Sequence, residues 1–66
     1  MKLVAHLYDL TDEEIRNCYE LKIESLKIRV HHYDNTTTII AFGSYDDLVN
    51  LIKEILIYKN YTLHLM

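Results

Sequence analysis

Apolar and polar residues alternate from Lys2 to Tyr8, with Leu3, Ala5 and Leu7 on one side and Lys2, Val4, His6 and Tyr8 on the other. This period-two pattern predicts a strand with one face buried. Leu10 closes the run, and Thr11-Asp12-Glu13-Glu14 follows as a helix-start signature. The Thr11 hydroxyl can accept from the backbone N–H three residues on while the acid there reaches back to the cap, and Leu10 can staple onto Ile15. A helix is predicted to about Ile23, with Ile15, Cys18 and Tyr19 inward and Glu13, Asn17, Glu20 and Glu24 on the wet side.

Alternation returns from Ser25 to Tyr33, where Leu26, Ile28 and Val30 oppose Lys27, Arg29 and His31. After Asp34-Asn35, the β-branched run Thr36 to Phe42 completes a predicted hairpin. Its register has two solutions. A two-residue turn pairs Ile28 with Ala41 and leaves Ile40 and Phe42 on the Lys27 face. A three-residue loop with Asn35 left-handed pairs Leu26 with Phe42 and Ile28 with Ile40 and buries all four, which is the preferred reading. Ser44-Tyr45-Asp46-Asp47 is a second helix start, and Tyr45 to Lys59 carries Leu48, Leu51, Ile52 and Ile55 at core spacing. Tyr61 to Met66 alternates once more. The expected core is Leu10, Ile15, Ile28, Val30, Ile40, Phe42, Leu48, Leu51, Ile52 and Ile55.

The order strand, helix, strand, strand, helix, strand predicts one α+β domain over residues 1–66. The expected architecture is a compact ferredoxin-like βαββαβ sandwich, with two helices on one face of a four-stranded antiparallel sheet of order 4-1-3-2. A rival reading ends at the second helix and leaves Tyr61 to Met66 as a tail. In the favoured reading the first and third strands are taken to run parallel and adjacent, which brings both helix N-termini to one edge.

Composition narrows the function classes. A chain of 66 residues, half of them hydrophobic, has one small core and no room for separate cofactor and substrate domains. The single cysteine, Cys18, allows no internal disulfide, and no zinc-finger spacing occurs. Proline is absent and Gly43 is the only glycine, so there is no phosphate-cradling loop. No apolar run is long enough to cross a membrane and no leader pattern is present, so a cytoplasmic protein is expected. The net charge of −3 argues against nonspecific nucleic-acid binding by the chain as a whole, but not against a local basic face.

Three constellations carry candidate chemistry. Asp9, Asp12, Glu13, Glu14, Asp46 and Asp47 are expected to converge as an acidic rim that meets Lys and Arg side chains of a basic partner. Lys2, Tyr8, Lys27, Arg29 and Tyr33, with Val4, His6, His31, Ile39, His64 and Met66, are expected on the open face of the sheet, where basic and aromatic residues interleave as on single-strand-binding sheets. His6 and His64 share a face on neighbouring strands but lack a third ligand, so no metal is assigned. Catalysis has little support: Ser25 and Ser44 lack a nucleophile turn, and Cys18 has no histidine nearby in sequence.

The expectation drawn is a small acidic, non-enzymatic protein-binding module without cofactors. It would be an inhibitor or adaptor of the phage or mobile-element accessory type, directed at a basic partner such as a nucleic-acid-handling protein. The alternative is a nucleic-acid-binding domain that uses the sheet face. A homodimer is expected through Val49, Leu56 and Ile57 or through Val4 and Ile39.

Overall fold

Seven residues of strict alternation from Lys2 to Tyr8 do form a strand, β1, and the burial of Leu3, Ala5 and Leu7 follows the pattern without exception. The computed structural model describes residues 1–66. After β1 come α1 (Asp12–Tyr19), β2 (Lys27–Tyr33), β3 (Thr36–Phe42), α2 (Tyr45–Ile55) and β4 (Tyr61–Leu65). The four strands make one sheet in the order β2-β3-β1-β4, with every neighbouring pair antiparallel. Tyr61–Leu65 is therefore a paired strand rather than a tail.

Two expectations about this sheet are overturned. The first and third strands are antiparallel, with Lys2 opposite Phe42 and Tyr8 opposite Thr36. The hairpin reverses β3 relative to β2, and β3 then lies between β1 and β2, antiparallel to both. The hairpin itself turns on two residues, Asp34 and Asn35, and pairs Ile28 with Ala41 and Arg29 with Ile40. Asp34, not Asn35, takes the left-handed backbone, with φ at 52°. A positive φ at the first turn position matches the twist of a tight hairpin, and a short polar side chain tolerates it. The inner residues of β3 are consequently Thr37, Ile39 and Ala41, while Ile40 and Phe42 face away from the core.

One cluster of nine buried hydrophobic residues joins the layers: Leu3, Ala5 and Leu7 of β1, Ile39 and Ala41 of β3, Cys18 of α1, and Leu48, Leu51 and Ile55 of α2. Ile28 and Val30 of β2 and Leu63 of β4 extend it toward the two edges. Of the expected core, Leu48, Leu51 and Ile55 are fully buried, and Leu10, Ile28, Val30 and Ile52 pack against the cluster. Ile15 is only half-buried, and Ile40 and Phe42 belong to the opposite face. Thr37 is the one buried polar side chain, and its hydroxyl is bonded to His32 Nδ1 at 2.8 Å.

Both helices stop short of their expected ends. Leu21 and Ile23 both pack on the core, and residues two apart cannot share a helix face, so α1 gives way at Tyr19 to an irregular segment. Beyond Ile55 the chain turns, which swings Tyr58 onto the core and leaves Ile57 76% exposed. Gly43 is not there for backbone freedom, since its φ is not positive. A Cβ there would meet Leu26 Cδ2, so that side chain would have to shift to admit a larger residue.

Removal of Leu51 from the centre of the helix–sheet contact should cost about 2–5 kcal/mol as Leu51→Ala, whereas Phe42→Ala on the outer face should cost under about 1 kcal/mol. Urea unfolding of both variants checks this. The reverse ranking would place Phe42 in the core and restore the other hairpin register.

Candidate functional site

The pleat sends Lys2, Val4, His6 and Tyr8 of β1 to the face away from the helices, and the pairing lays them in rows with their neighbours. One row reads Lys27, Phe42, Lys2 across β2, β3 and β1. The next reads Arg29, Ile40, Val4, His64, the third His31, Thr38, His6, Thr62, and the last Tyr33, Thr36, Tyr8. Backbone bonds between Lys2 and Met66, at 2.9 and 2.8 Å, extend the first row to Met66.

This face concentrates positive charge. None of the ten Asp and Glu residues lies in any strand; all are in helices, turns and loops. Lys2, Lys27 and Arg29 are gathered at one end and line a depression of about 740 Å³ together with Ile40, Phe42 and Gly43. Phe42 is 44% exposed, although it sits in an interior strand, between Lys27 and Lys2. Tyr33, 76% exposed, and Tyr8 occupy the opposite end, where the Tyr8 and Thr62 hydroxyls are 3.2 Å apart. All five residues expected on the open face, Lys2, Tyr8, Lys27, Arg29 and Tyr33, are on it. Ile39, expected beside them, is fully buried on the inner side. Phe42 and Ile40 were missed because their placement depends on the hairpin register; the two-residue-turn alternative contained the signal.

The acidic rim does not assemble. Asp9, Asp12, Glu13 and Glu14 follow the end of β1, whereas Asp46 and Asp47 follow the end of β3, and those two ends point in opposite directions along the sheet. Seven-residue strands separate the groups by roughly 20 Å, more than two Debye lengths at physiological salt, so their fields do not reinforce one another. Part of each group is engaged in capping. Thr11 Oγ1 accepts from the Glu14 backbone N–H at 3.2 Å while Glu14 Oε1 accepts from the Thr11 N–H at 2.9 Å, a complete capping box. At the second cap, Ser44 Oγ accepts from the Asp47 N–H at 3.3 Å and donates to Asp47 Oδ2 at 2.9 Å. Aspartate, one methylene shorter than glutamate, reaches the cap hydroxyl instead of its backbone.

Histidine is dispersed. His6 Nδ1 bonds to Thr38 Oγ1 at 2.9 Å, His64 lies one residue pair away on β4, and His31 is exposed two strands across. No three His, Cys, Asp or Glu side chains gather into a metal-binding group. Cys18 is buried, and its thiol donates to Tyr58 Oη at 3.9 Å. Burial pushes the thiol up, against a smaller lowering by the Tyr58 bond, with a further upward push from the Glu14 carboxylate. Burial also drives Tyr58 up to about 12, aided by Cys18 and by the charges of Glu14 and Glu54. Such a thiol is protonated at neutral pH and is no nucleophile. No helix is long and apolar enough to cross a membrane.

Comparisons with protein-family models, with curated proteins and with solved structures return no match.

The burial of Cys18 and Tyr58 generates an alkaline limit to stability. Above about pH 9 the unfolded chain releases protons at the ordinary thiol and phenol values of 9.0 and 10.0, while in the folded chain the Cys18 thiol is held above its ordinary value and Tyr58 keeps its proton to about 12. The contribution is therefore complete below about pH 9 and is lost as pH rises toward 12. The urea midpoint should fall between pH 8 and pH 11, and the fall should be shallower in Tyr58→Phe. Identical slopes in the two proteins would show that the pair is not the cause.

Proposed function

We propose that this protein is a non-enzymatic binding module whose open sheet face takes single-stranded nucleic acid. The observation that carries this reading is the absence of carboxylates from every strand, with Lys2, Lys27 and Arg29 grouped around the exposed ring of Phe42. Cations position phosphates and an exposed aromatic ring stacks a base, the two elements that single-strand-binding surfaces combine. In a duplex the bases are already stacked on one another, so Phe42 gains nothing there; a single strand offers it a free base. Val4, Ile40 and the Tyr8 and Tyr33 rings give further apolar area along the strand's path.

The net charge of −3 does not oppose this. A phosphate on the open face meets Lys2, Lys27 and Arg29 at contact range, whereas no strand contributes a carboxylate to that face. The local field outweighs the total. We take the architecture to be a ferredoxin-like sandwich, a reading supported by the strand order and by the single cluster that both helices share with one sheet face. The reading as an inhibitor or adaptor for a basic partner, of the phage or mobile-element accessory type, rested on a convergent rim. With Asp9, Asp12, Glu13 and Glu14 at one end and Asp46 and Asp47 at the other, it takes second place. The protein is taken to work in the cytoplasm, where such strands are plentiful.

Fluorescence anisotropy with a labelled single-stranded oligonucleotide, run across a salt series, tests the proposal. Lys27→Ala plus Arg29→Ala should weaken binding and reduce the salt slope by about 1.4, two contacts at roughly 0.7 each. Phe42→Ala should cost about 1–3 kcal/mol of binding with the slope unchanged. A folded wild-type protein that binds no oligonucleotide at low salt overturns the reading, as does a double variant with unaltered slope; either outcome returns the acidic groups to first place.

A further inference from the structure

We propose that the free edge of β4 is a homodimer interface, in which two copies pair antiparallel about a two-fold axis at Leu63. The ladder to β1 uses the backbone of Met66, as its bonds to Lys2 show, and Asn60 O accepts from Tyr8 N–H at 3.0 Å. By antiparallel alternation His64 and Thr62 also face β1, and the N–H and C=O groups of Tyr61, Leu63 and Leu65 point away from the sheet. No loop or side-chain hydrogen bond reaches any of these. A row of unpaired backbone groups is a template for another strand.

The two edges of the sheet are treated differently. On β2 the same alternation turns the backbone of His32 outward, and its N–H donates to Tyr19 Oη of α1 at 2.9 Å. β2 also carries Lys27 and Arg29, charges of the kind that discourage edge pairing. β4 has neither cover nor charge: Tyr61, Thr62, Leu63, His64 and Leu65 include no Lys, Arg, Asp, Glu or Pro.

A second copy fits this edge because the row is self-complementary. Centred on Leu63, a two-fold sets Leu63 opposite Leu63 and Tyr61 opposite Leu65, and it uses all three outward residues of each strand as hydrogen-bonded pairs. On the inner side the Leu65 side chain, 39% exposed, meets the Tyr61 ring of the other copy. On the open side Thr62 faces His64, so no like charges meet. The product is an eight-stranded sheet whose open faces are continuous. This contact differs from the dimer expected through Val49, Leu56 and Ile57 or through Val4 and Ile39, the last of which is in the core. It does not depend on what the open face binds.

Cysteine crosslinking tests the register. Opposed residues of a hydrogen-bonded pair lie about 5.5 Å apart at Cα, within disulfide range, so Leu63→Cys should give a covalent dimer under mild oxidation. Leu65→Cys, opposite Tyr61, should give almost none, and the native Cys18 is buried. Light scattering should show a concentration-dependent dimer. Leu65→Pro, which removes one outward N–H per copy and no bond to β1, should weaken that dimer by about tenfold or more while circular dichroism stays native. A strict monomer at every concentration, equal crosslinking at the two positions, or a folded Leu65→Pro protein that dimerises undiminished would overturn the proposal.

Discussion

The antiparallel register of β1 on β3 is the constraint on which the rest of the molecule depends. It sets Leu3 opposite Ala41, Ala5 opposite Ile39 and Leu7 opposite Thr37, so that each inner pair joins a large side chain to a small one. Leu48, Leu51 and Ile55 of α2 are buried in one cluster with the hydrophobic residues of these inner pairs. A slip of two residues would set Leu3 against Ile39 and Ala5 against Thr37, crowding one site and emptying another. A slip of one would turn the inner set out to water. In a chain of 66 residues with one core, neither alternative has reserve stability to draw on.

That register also divides the charge. Once Leu3, Ala5, Leu7, Ile39 and Ala41 are inward, Lys2, Ile40 and Phe42 must be outward, and the two-residue turn brings Lys27 and Arg29 alongside them. The carboxylates meanwhile are confined to helices, turns and loops, where Glu14 and Asp47 complete caps. An acidic chain thus acquires a basic, partly aromatic face, to which β2 brings Lys27 and Arg29 and β1 brings Lys2. The same antiparallel geometry that builds this face sends the two helix N-termini to opposite ends and dissolves the acidic rim.

The edges complete the balance of backbone groups. Tyr19, at the last turn of α1, is half exposed and contributes little apolar burial, yet its hydroxyl satisfies the outward N–H of His32. Nothing does the same for β4. An asymmetry of this kind, one edge covered and charged and the other bare and neutral, is a property of the assembled sheet and of no single segment.

The alternation of Lys2 to Tyr8, the two cap signatures at Thr11 and Ser44 and the spacing of Leu48, Leu51 and Ile55 were legible in the sequence, because each depends on contacts within a few residues or on a single periodic face. Six elements in the right order, the inner residues of β1 and α2, and the outward placement of Lys2, Tyr8, Lys27, Arg29 and Tyr33 all follow from such local rules. The relative direction of β1 and β3 and the loop that closes the β2–β3 hairpin do not. Both hairpin registers satisfy local propensity, and burying Ile40 and Phe42 looks better until β1 demands Ile39 and Ala41 for its own Leu3 and Ala5. Only when three strands are aligned at once is that demand expressed, and it is the tertiary structure that puts Phe42 on the open face, separates the six carboxylates into two groups and leaves one edge of the sheet unpaired.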